Sequence, residues 1–390
     1  MLTAINIQDV AIVGVHATAQ AKRQQRSALS LCLEAALGAV EDAGLSMSDV
    51  DGISGRWPGP GGTLMHPGSM DWATLLGREV TWVQDTYPQG VPALLDAASA
   101  IASGQCNTVL VVGGQAGIHD DRNSVAAYTR PENEFVAPWG AFTAVHFALV
   151  AQRYLDAYPN SRIAAARVAA YIRNQGRTNP HAVMYGRGPY EVEDILSATP
   201  IATPFTLLDL CLATEGAAAM VITRKEIARN TRAPIWLLGG ACEWYRQQYV
   251  NPPRYEEVWT IGRSAAERAF RQAGCGPKDV DVAQLYDINS FEVLRQLEVL
   301  GFCELGEAAD FIDENFEGET LRLPINTDGG LMSYSHIGWG GPTLKIVESV
   351  HQLRNEAAER QVPDASVALA TGAGSGAQYH NIALLGREAA

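Results

Sequence analysis

Short apolar runs alternate along this chain with stretches of helical periodicity. Residues 10–15 (VAIVGV), 108–114 (TVLVVGG), 235–239 (IWLLG), 282–286 (VAQLY) and 366–372 (SVALATG) read as buried strands, four to eight residues of small and β-branched type. Between them, Leu29, Cys32, Leu33, Ala36, Leu37 and Val40 recur at i, i+3, i+4, i+7, i+8 and i+11. Ala266, Ala269, Phe270 and Ala273 repeat that spacing later. Both stretches predict amphipathic helices. Each helix runs into a similar turn, Ala43-Gly-Leu-Ser-Met-Ser-Asp-Val-Asp51 and Ala273-Gly-Cys-Gly-Pro-Lys-Asp-Val-Asp281, 230 residues apart. The strand at 10–15 then matches the one at 235–239, and 108–114 matches 366–372. Several matches in one order point to a duplicated α/β unit, with halves at 1–230 and 231–390 and helices on the faces of mixed sheets. Residues 118 to 205, rich in Pro, Asn, Arg and Tyr, break the pattern and read as a long insertion of the kind that carries substrate contacts.

Composition narrows the function. With 390 residues the chain is long enough for two core-forming units. A net charge of −14 argues against nucleic acid or an anionic membrane as partner. Six scattered cysteines, with no C-x-x-C pair, read as reduced cytoplasmic thiols. The N-terminal stretch has no basic region and reads as a first strand rather than a signal peptide. No uninterrupted apolar run approaches the ~18 residues of a membrane span. The histidines at 16, 66, 119, 146, 181, 351 and 380 show no metal spacing.

One loop carries the chemistry. The stretch Asn326-Thr-Asp-Gly-Gly-Leu-Met-Ser-Tyr-Ser-His336-Ile-Gly-Trp-Gly-Gly341 resembles the glycine-rich histidine loop of thiolases. The turn Asp85-Thr-Tyr87-Pro-Gln-Gly90, ahead of a small-residue helix, resembles their nucleophile elbow. Further likeness lies in Pro200 to Ala219, in Leu285 to Cys303 and in Leu323 to Gly330. The resemblance spans essentially the whole chain and is to the sterol-carrier-protein-linked branch of the thiolase superfamily. It implies a five-layered α/β/α/β/α fold built from two pseudo-repeated halves.

The departures from that pattern matter most. In thiolases a cysteine at the Tyr87 position takes the acyl group, and a second one falls at about Ala370 in Ala370-Thr-Gly-Ala-Gly-Ser-Gly376. Neither is a thiol here. Tyrosine, with a reference pKa near ~10, is a poor substitute for an activated thiolate. Cys106 and Cys303 sit on other elements and give no reason to be recruited. The loss of both thiols resembles the steroid side-chain-cleaving aldolases, thiolase-like proteins that perform a retro-aldol cleavage of a β-hydroxyacyl-CoA. That family places a tyrosine at the position of Tyr286 and a second tyrosine in the glycine-rich loop. His336 stands at the second position, with Tyr334 two residues earlier.

The resemblance therefore implies Tyr286 and His336 as the proton-transfer groups. Tyr87, Asp287, Tyr334, Gly372, Gly374 and Gly376 are candidate walls or oxyanion donors, as is the helix that begins near Gly90. Asp287 and Asn326 also read as residues that pin loops. Arg173, Arg177 and Arg187 are either contacts for CoA phosphates or a solvated surface. No cofactor is implied beyond the CoA of the substrate, and no metal. The resemblance further implies a homodimer, with residues 81–85 as the edge strand, and a small zinc-ribbon, OB-fold partner protein. Two other readings stay open: an acyltransferase with a displaced nucleophile, and a non-catalytic acyl-CoA-binding subunit.

Overall fold

The computed structural model describes residues 6–56, 68–86, 88–119, 143–245, 259–316, 321–374 and 379–389. The first half runs β1 (Val10–Ala17), α1 (Ala28–Asp42), β2 (Gly52–Arg56), α2 (Ser69–Leu75), β3 (Trp82–Val83), α3 (Val91–Ala102) and β4 (Thr108–Gln115). It continues through α4 (Thr143–Ala157), α5 (Ser161–Thr178), α6 (Val192–Ser197), a small hairpin of β5 (Pro200–Ala202) and β6 (Phe205–Thr206), then β7 (Gly216–Arg224) and α7 (Lys225–Ala228). The second half runs β8 (Ile235–Trp244), α8 (Arg263–Ala273), β9 (Val282–Gln284), α9 (Ser290–Val299), α10 (Ala308–Phe316), α11 (Gly341–Arg354), β10 (Val367–Gly374) and β11 (Tyr379–Gly386).

The main strands lie in the order β3-β2-β4-β7-β1-β8-β11-β10-β9. Counted outward from the centre, β1-β7-β4-β2 and β8-β11-β10-β9 have the same order and the same pairing senses, the last pair parallel in each. The halves join where Ala11 and Ile12 of β1 pair with Trp236 and Ile235 of β8. Helices α3 and α11 form the inner layer. Their apolar residues share one core with Ile12, Val111 and Met220 of the first half and Leu237, Ala370 and Ala383 of the second. Helices α1, α5, α8, α9 and α10 cover the outer faces in a second core. The result is the layered α/β/α/β/α arrangement. Close approach of α1 to β1 requires glycine at Gly14, where a Cβ would come 2.0 Å from the Ala39 carbonyl oxygen.

Three expectations change. Leu37, assigned to the buried face of α1, is 57% exposed, and the face centres on Leu31, Cys32, Ala35 and Ala39. The edge strand expected at 81–85 shrinks to Trp82–Val83, because Asp85 turns away to accept from the backbone N–H and hydroxyl of Ser69 at 2.8 and 2.9 Å. The stretch 118–205, read by composition as an irregular insertion, holds two long helices. In α5 the buried residues Ala164, Ala165, Val168, Ala169 and Ile172 follow helical spacing, and that periodicity outweighs the polar composition. Among the described residues no helix is long and apolar enough to cross a membrane.

Candidate active site

Tyr286 is set by its backbone. Strand β9 ends at Gln284, and the chain then leaves the sheet. The Tyr286 N–H donates to the Thr371 hydroxyl of β10 at 2.8 Å, and its carbonyl accepts from the Gln296 amide of α9 at 2.9 Å. The ring enters an apolar cluster with Phe147, Ile261, Phe291, Leu331 and Ala373 and is 7% exposed. Part of this cluster, Phe147 on α4 and Phe205 on β6, comes from the 118–205 stretch.

The histidine loop is pinned from behind. Asn326, at φ +45°, accepts from the Leu285 N–H at 2.7 Å and donates to its carbonyl at 3.0 Å, so the loop is tied to the residue beside Tyr286. Gly329 and Gly330 then open a wide turn with Tyr334 N–H to Gly329 carbonyl and Ser335 N–H to Gly330 carbonyl bonds. Asp287 receives the N–H groups of Leu331 and Met332 at 2.9 and 3.1 Å and the Lys345 ammonium of α11 at 2.6 Å. A side chain at 330 would strike that carboxylate, since its Cβ would lie 2.2 Å from Oδ2. Beyond the turn, the His336 N–H donates to the Thr214 hydroxyl at 2.8 Å, and Gly341 at the start of α11 lies against the imidazole edge.

These two segments bring the predicted pair together. The Tyr286 and His336 rings meet edge to face, 6.5 Å between centroids and 75° between planes. A third residue joins them that sequence reasoning missed: the Cys211 sulfur lies 3.7 Å from His336 Nδ1. Its segment is stitched to both partners. The Cys211 N–H donates to the Ile288 carbonyl at 3.0 Å, Leu212 to Leu331 at 2.9 Å, and Thr214 to His336 at 3.2 Å. The stretch around Cys211 was legible as family-like, but no spacing rule links a cysteine to a histidine 125 positions away.

The remaining candidates scatter. Tyr87 and Gly376 lie outside the described residues. Asp287 is a fully buried pin for the loop and the partner of Lys345 rather than an open wall. Tyr334 turns away from His336 and lines a separate cavity of about 450 Å³ with Asp328, Glu348, His351 and Arg360. Gly372 and Gly374, candidate walls or oxyanion donors, lie within β10 and pair with Asn381 and Tyr379 of β11. Ala370 is fully buried in the inner core. Arg173 is neither a CoA contact nor a solvated residue: it is buried and donates to the carbonyls of Leu208, Met332 and Leu210 at 2.8, 2.8 and 2.9 Å. Arg177 is half-buried and Arg187 exposed.

Gly90, at φ +77°, does meet the expectation of a helix start. Its bare Cα lets Pro342 approach, so the N-termini of α3 and α11 touch. Two positive helix ends at one point suit a developing oxyanion. Burial pushes the Cys106 and Cys303 thiols up to about 12, which leaves both inert as nucleophiles. Among the described residues no group of three His, Cys, Asp or Glu is arranged to hold a metal ion.

Comparison with known proteins adds the following. A family model described as thiolase C-terminal domain-like matches residues 255–387. The chain is 34% identical over 370 residues to a 17-hydroxy-3-oxo-4-pregnene-20-carboxyl-CoA lyase of Mycobacterium tuberculosis, over 88% of this chain and 91% of that one. It is 32% identical over 392 residues to a steroid side-chain-cleaving aldolase of Thermomonospora curvata, over 93% of this chain and 95% of that one. A solved structure, the Ltp2-ChsH2(DUF35) aldolase, superposes with a TM-score of 0.77 at 29% identity and covers 97% of this chain and 98% of that one.

Proposed function

The chain belongs to the thiolase superfamily, on the branch of the steroid side-chain-cleaving aldolases, and on that premise we propose that it is a carbon–carbon lyase splitting a bulky β-hydroxyacyl-CoA by retro-aldol chemistry, a steroid side-chain thioester being the substrate. The observation that carries this reading is the Tyr286–His336 pair at 6.5 Å, in a scaffold with alanine at 370 and tyrosine at 87 where thiolases use cysteines.

The reaction needs few groups. A base removes the β-hydroxyl proton. The C–C bond breaks, its electron pair passes to the thioester as an enolate, and a ketone leaves. An acid then protonates the α-carbon to give a shorter acyl-CoA. Tyr286 and His336 share these transfers. The helix N-termini that meet at Gly90 and Pro342 offset charge on the enolate oxygen. No step needs a covalent intermediate with the protein. The apolar cluster around Tyr286, with Phe147, Phe205, Ile261 and Phe291, gives the pair low-polarity surroundings in keeping with a hydrophobic acyl group.

We extend the proposal to assembly. A homodimer forms through the β3 edge, where Val83 is exposed. A small zinc-ribbon, OB-fold protein, the partner that the family resemblance implies, joins it; the name of the structural neighbour, Ltp2-ChsH2(DUF35) aldolase, likewise pairs two components.

The test is incubation with a β-hydroxyacyl-CoA carrying a tertiary hydroxyl, with and without such a partner. Liquid chromatography with mass detection should find the ketone and the shortened acyl-CoA, and intact-protein mass should stay unchanged. An acyl adduct on the protein would make it an acyltransferase with a displaced nucleophile. Binding without turnover under either condition would make it a non-catalytic acyl-CoA-binding subunit.

A further inference from the structure

The arrangement around His336 goes beyond a two-residue site. An imidazole is defined as acid or base by which nitrogen carries the proton, and that is set by the partner of the other nitrogen. Here Nδ1 faces the Cys211 sulfur at 3.7 Å. The ring has little freedom to turn away. A Cβ built on Gly341 would come 2.9 Å from Cδ2, and Tyr286 packs edge to face on another side. The backbone that carries the sulfur is equally fixed. Arg173 holds the Leu210 carbonyl at 2.9 Å, Ile288 takes the Cys211 N–H at 3.0 Å, and Leu331 takes the Leu212 N–H at 2.9 Å. Arg173 also holds the Met332 carbonyl of the histidine loop at 2.8 Å. One buried guanidinium thus sets the loop and the cysteine segment relative to each other.

We propose that Cys211 is a positioning residue whose sulfur accepts the Nδ1–H of His336, so that the lone pair lies on Nε2 and His336 enters the reaction as the base. The inference rests on the retro-aldol reading and deepens it. A thiol has both a weak donor and a weak acceptor. Were the S–H to donate to Nδ1, a neutral ring would carry its hydrogen on Nε2 and would have no lone pair for the β-hydroxyl proton. The reaction begins with that proton, and Tyr286 as a phenol is not a base near neutral pH. The sequence follows with its protons balanced. Nε2 takes the hydroxyl proton, and the C–C electrons become the enolate. The Tyr286 hydroxyl protonates the α-carbon, and once the products leave the imidazolium gives up its proton and the phenolate regains one, so both groups are restored. Cys211 is neither acylated nor oxidised at any step.

The experiment reads the tautomer directly, on the full chain with its partner where activity needs one. Long-range ¹⁵N–¹H spectra of histidine-labelled protein, with His336 assigned by its loss in His336→Gln, should show the Nδ1–H form. Cys211→Ala should shift the ring towards the Nε2–H form and lower kcat roughly 10-fold with KM nearly unchanged. That is well short of the about 10⁴ that follows loss of a carboxylate partner in serine proteases, because sulfur is the weaker acceptor. Cys211→Ser keeps an acceptor at the site and should recover both the tautomer and most of the rate. Melting temperatures of the variants control for misfolding. An Nε2–H ring in the native chain, a Cys211→Ala protein with unchanged tautomer and kcat, or an acyl group on Cys211 would each overturn the proposal. Failure of the native chain to cleave any β-hydroxyacyl-CoA would count against the retro-aldol reading instead. The tautomer spectra would still report on the Cys211–His336 contact.

Discussion

Helices α3 and α11 are the two inner helices of a duplicated fold, yet one is nearly all apolar and the other is not. In α3 the buried residues are Val91, Pro92, Ala93, Leu94, Ala97, Ala98, Ala100 and Ile101, and its one charge, the half-buried Asp96, receives the Thr86 hydroxyl. In α11, Lys345, Glu348 and Gln352 are buried, and each is partnered. Lys345 meets Asp287 at 2.6 Å, Glu348 takes the Thr327 hydroxyl at 2.7 Å and Arg360 at 3.0 Å, and Gln352 donates to the Arg360 carbonyl at 2.8 Å. Those partners belong to, or border, the loop that ends in His336. A buried ion pair is weak evidence for net stability, but it is costly to break and restricts which packing is allowed. The difference accords with the proposal that proton transfer sits in the second half: α3 packs through apolar contacts, while the polar partners of α11 hold the His336 loop in register.

The comparison breaks first at the loop itself. His336→Ala should lower kcat/KM by about 10²–10⁴, the scale of a lost general acid or base. Adding Tyr286→Phe should cost little more, because groups in one relay are not additive. Steady-state kinetics of the two singles and the double on one substrate check this, and additive losses would separate the roles. The next effect is on folding. Lys345→Met leaves the Asp287 carboxylate buried without its cation and should destabilise by about 3–5 kcal/mol. Asp96→Asn on α3 should cost under about 1 kcal/mol, since Asp96 is only half-buried, pairs with no cation among the described residues, and an amide oxygen can still accept the Thr86 hydroxyl. Urea midpoints compare the two, and equal losses would erase the contrast between the helices.

A smaller effect sharpens the same point through pH. Burial pushes the Asp328 carboxyl up to about 6 from 3.8, against the nearby Lys345 ammonium, which favours the charged form. The native state therefore keeps a proton between about pH 4 and 6 that the unfolded chain has released. Native Asp328 binds more protons there, so its contribution to stability falls as pH rises through that window and stays lost above it. Asp328→Asn should then stabilise at pH 8, by at most about 3 kcal/mol, and do nothing below about pH 4. Urea unfolding of both proteins at the two pH values measures it. The smallest effect belongs to two thiols outside the pair's surroundings: Cys106→Ala and Cys303→Ala should leave turnover unchanged.

Much of this was legible in the sequence, and the limits have physical causes. The repeat after Ala43 and after Ala273 announced the duplicated topology, because strand and helix periodicity are local. Tyr286 and His336 were found as motif residues, and the structure sets their rings in contact. What stayed hidden depends on distant chain. Cys211 sits beside His336 only because its segment is stitched to Ile288 and Leu331. Arg173 looked like a surface cation until its three carbonyl partners appeared, two from the segment before Cys211 and one from the histidine loop. Tyr334 lies two residues from His336 in sequence, but the wide turn sends it into another cavity. The helices of residues 143–178 were masked by polar composition, although the alanine spacing in α5 carried the signal.

One measurement bears most directly on the claim that chemistry has left the elbow for the second half. It is the cleavage rate of a β-hydroxyacyl-CoA by Tyr286→Phe and by Tyr87→Phe, each of which deletes only a hydroxyl. The account predicts a loss of about 10²–10⁴ for Tyr286→Phe and a rate near that of the native chain for Tyr87→Phe. A near-native Tyr286→Phe beside a dead Tyr87→Phe would contradict it, and would mean that the elbow tyrosine inherited the place of the thiolase cysteine.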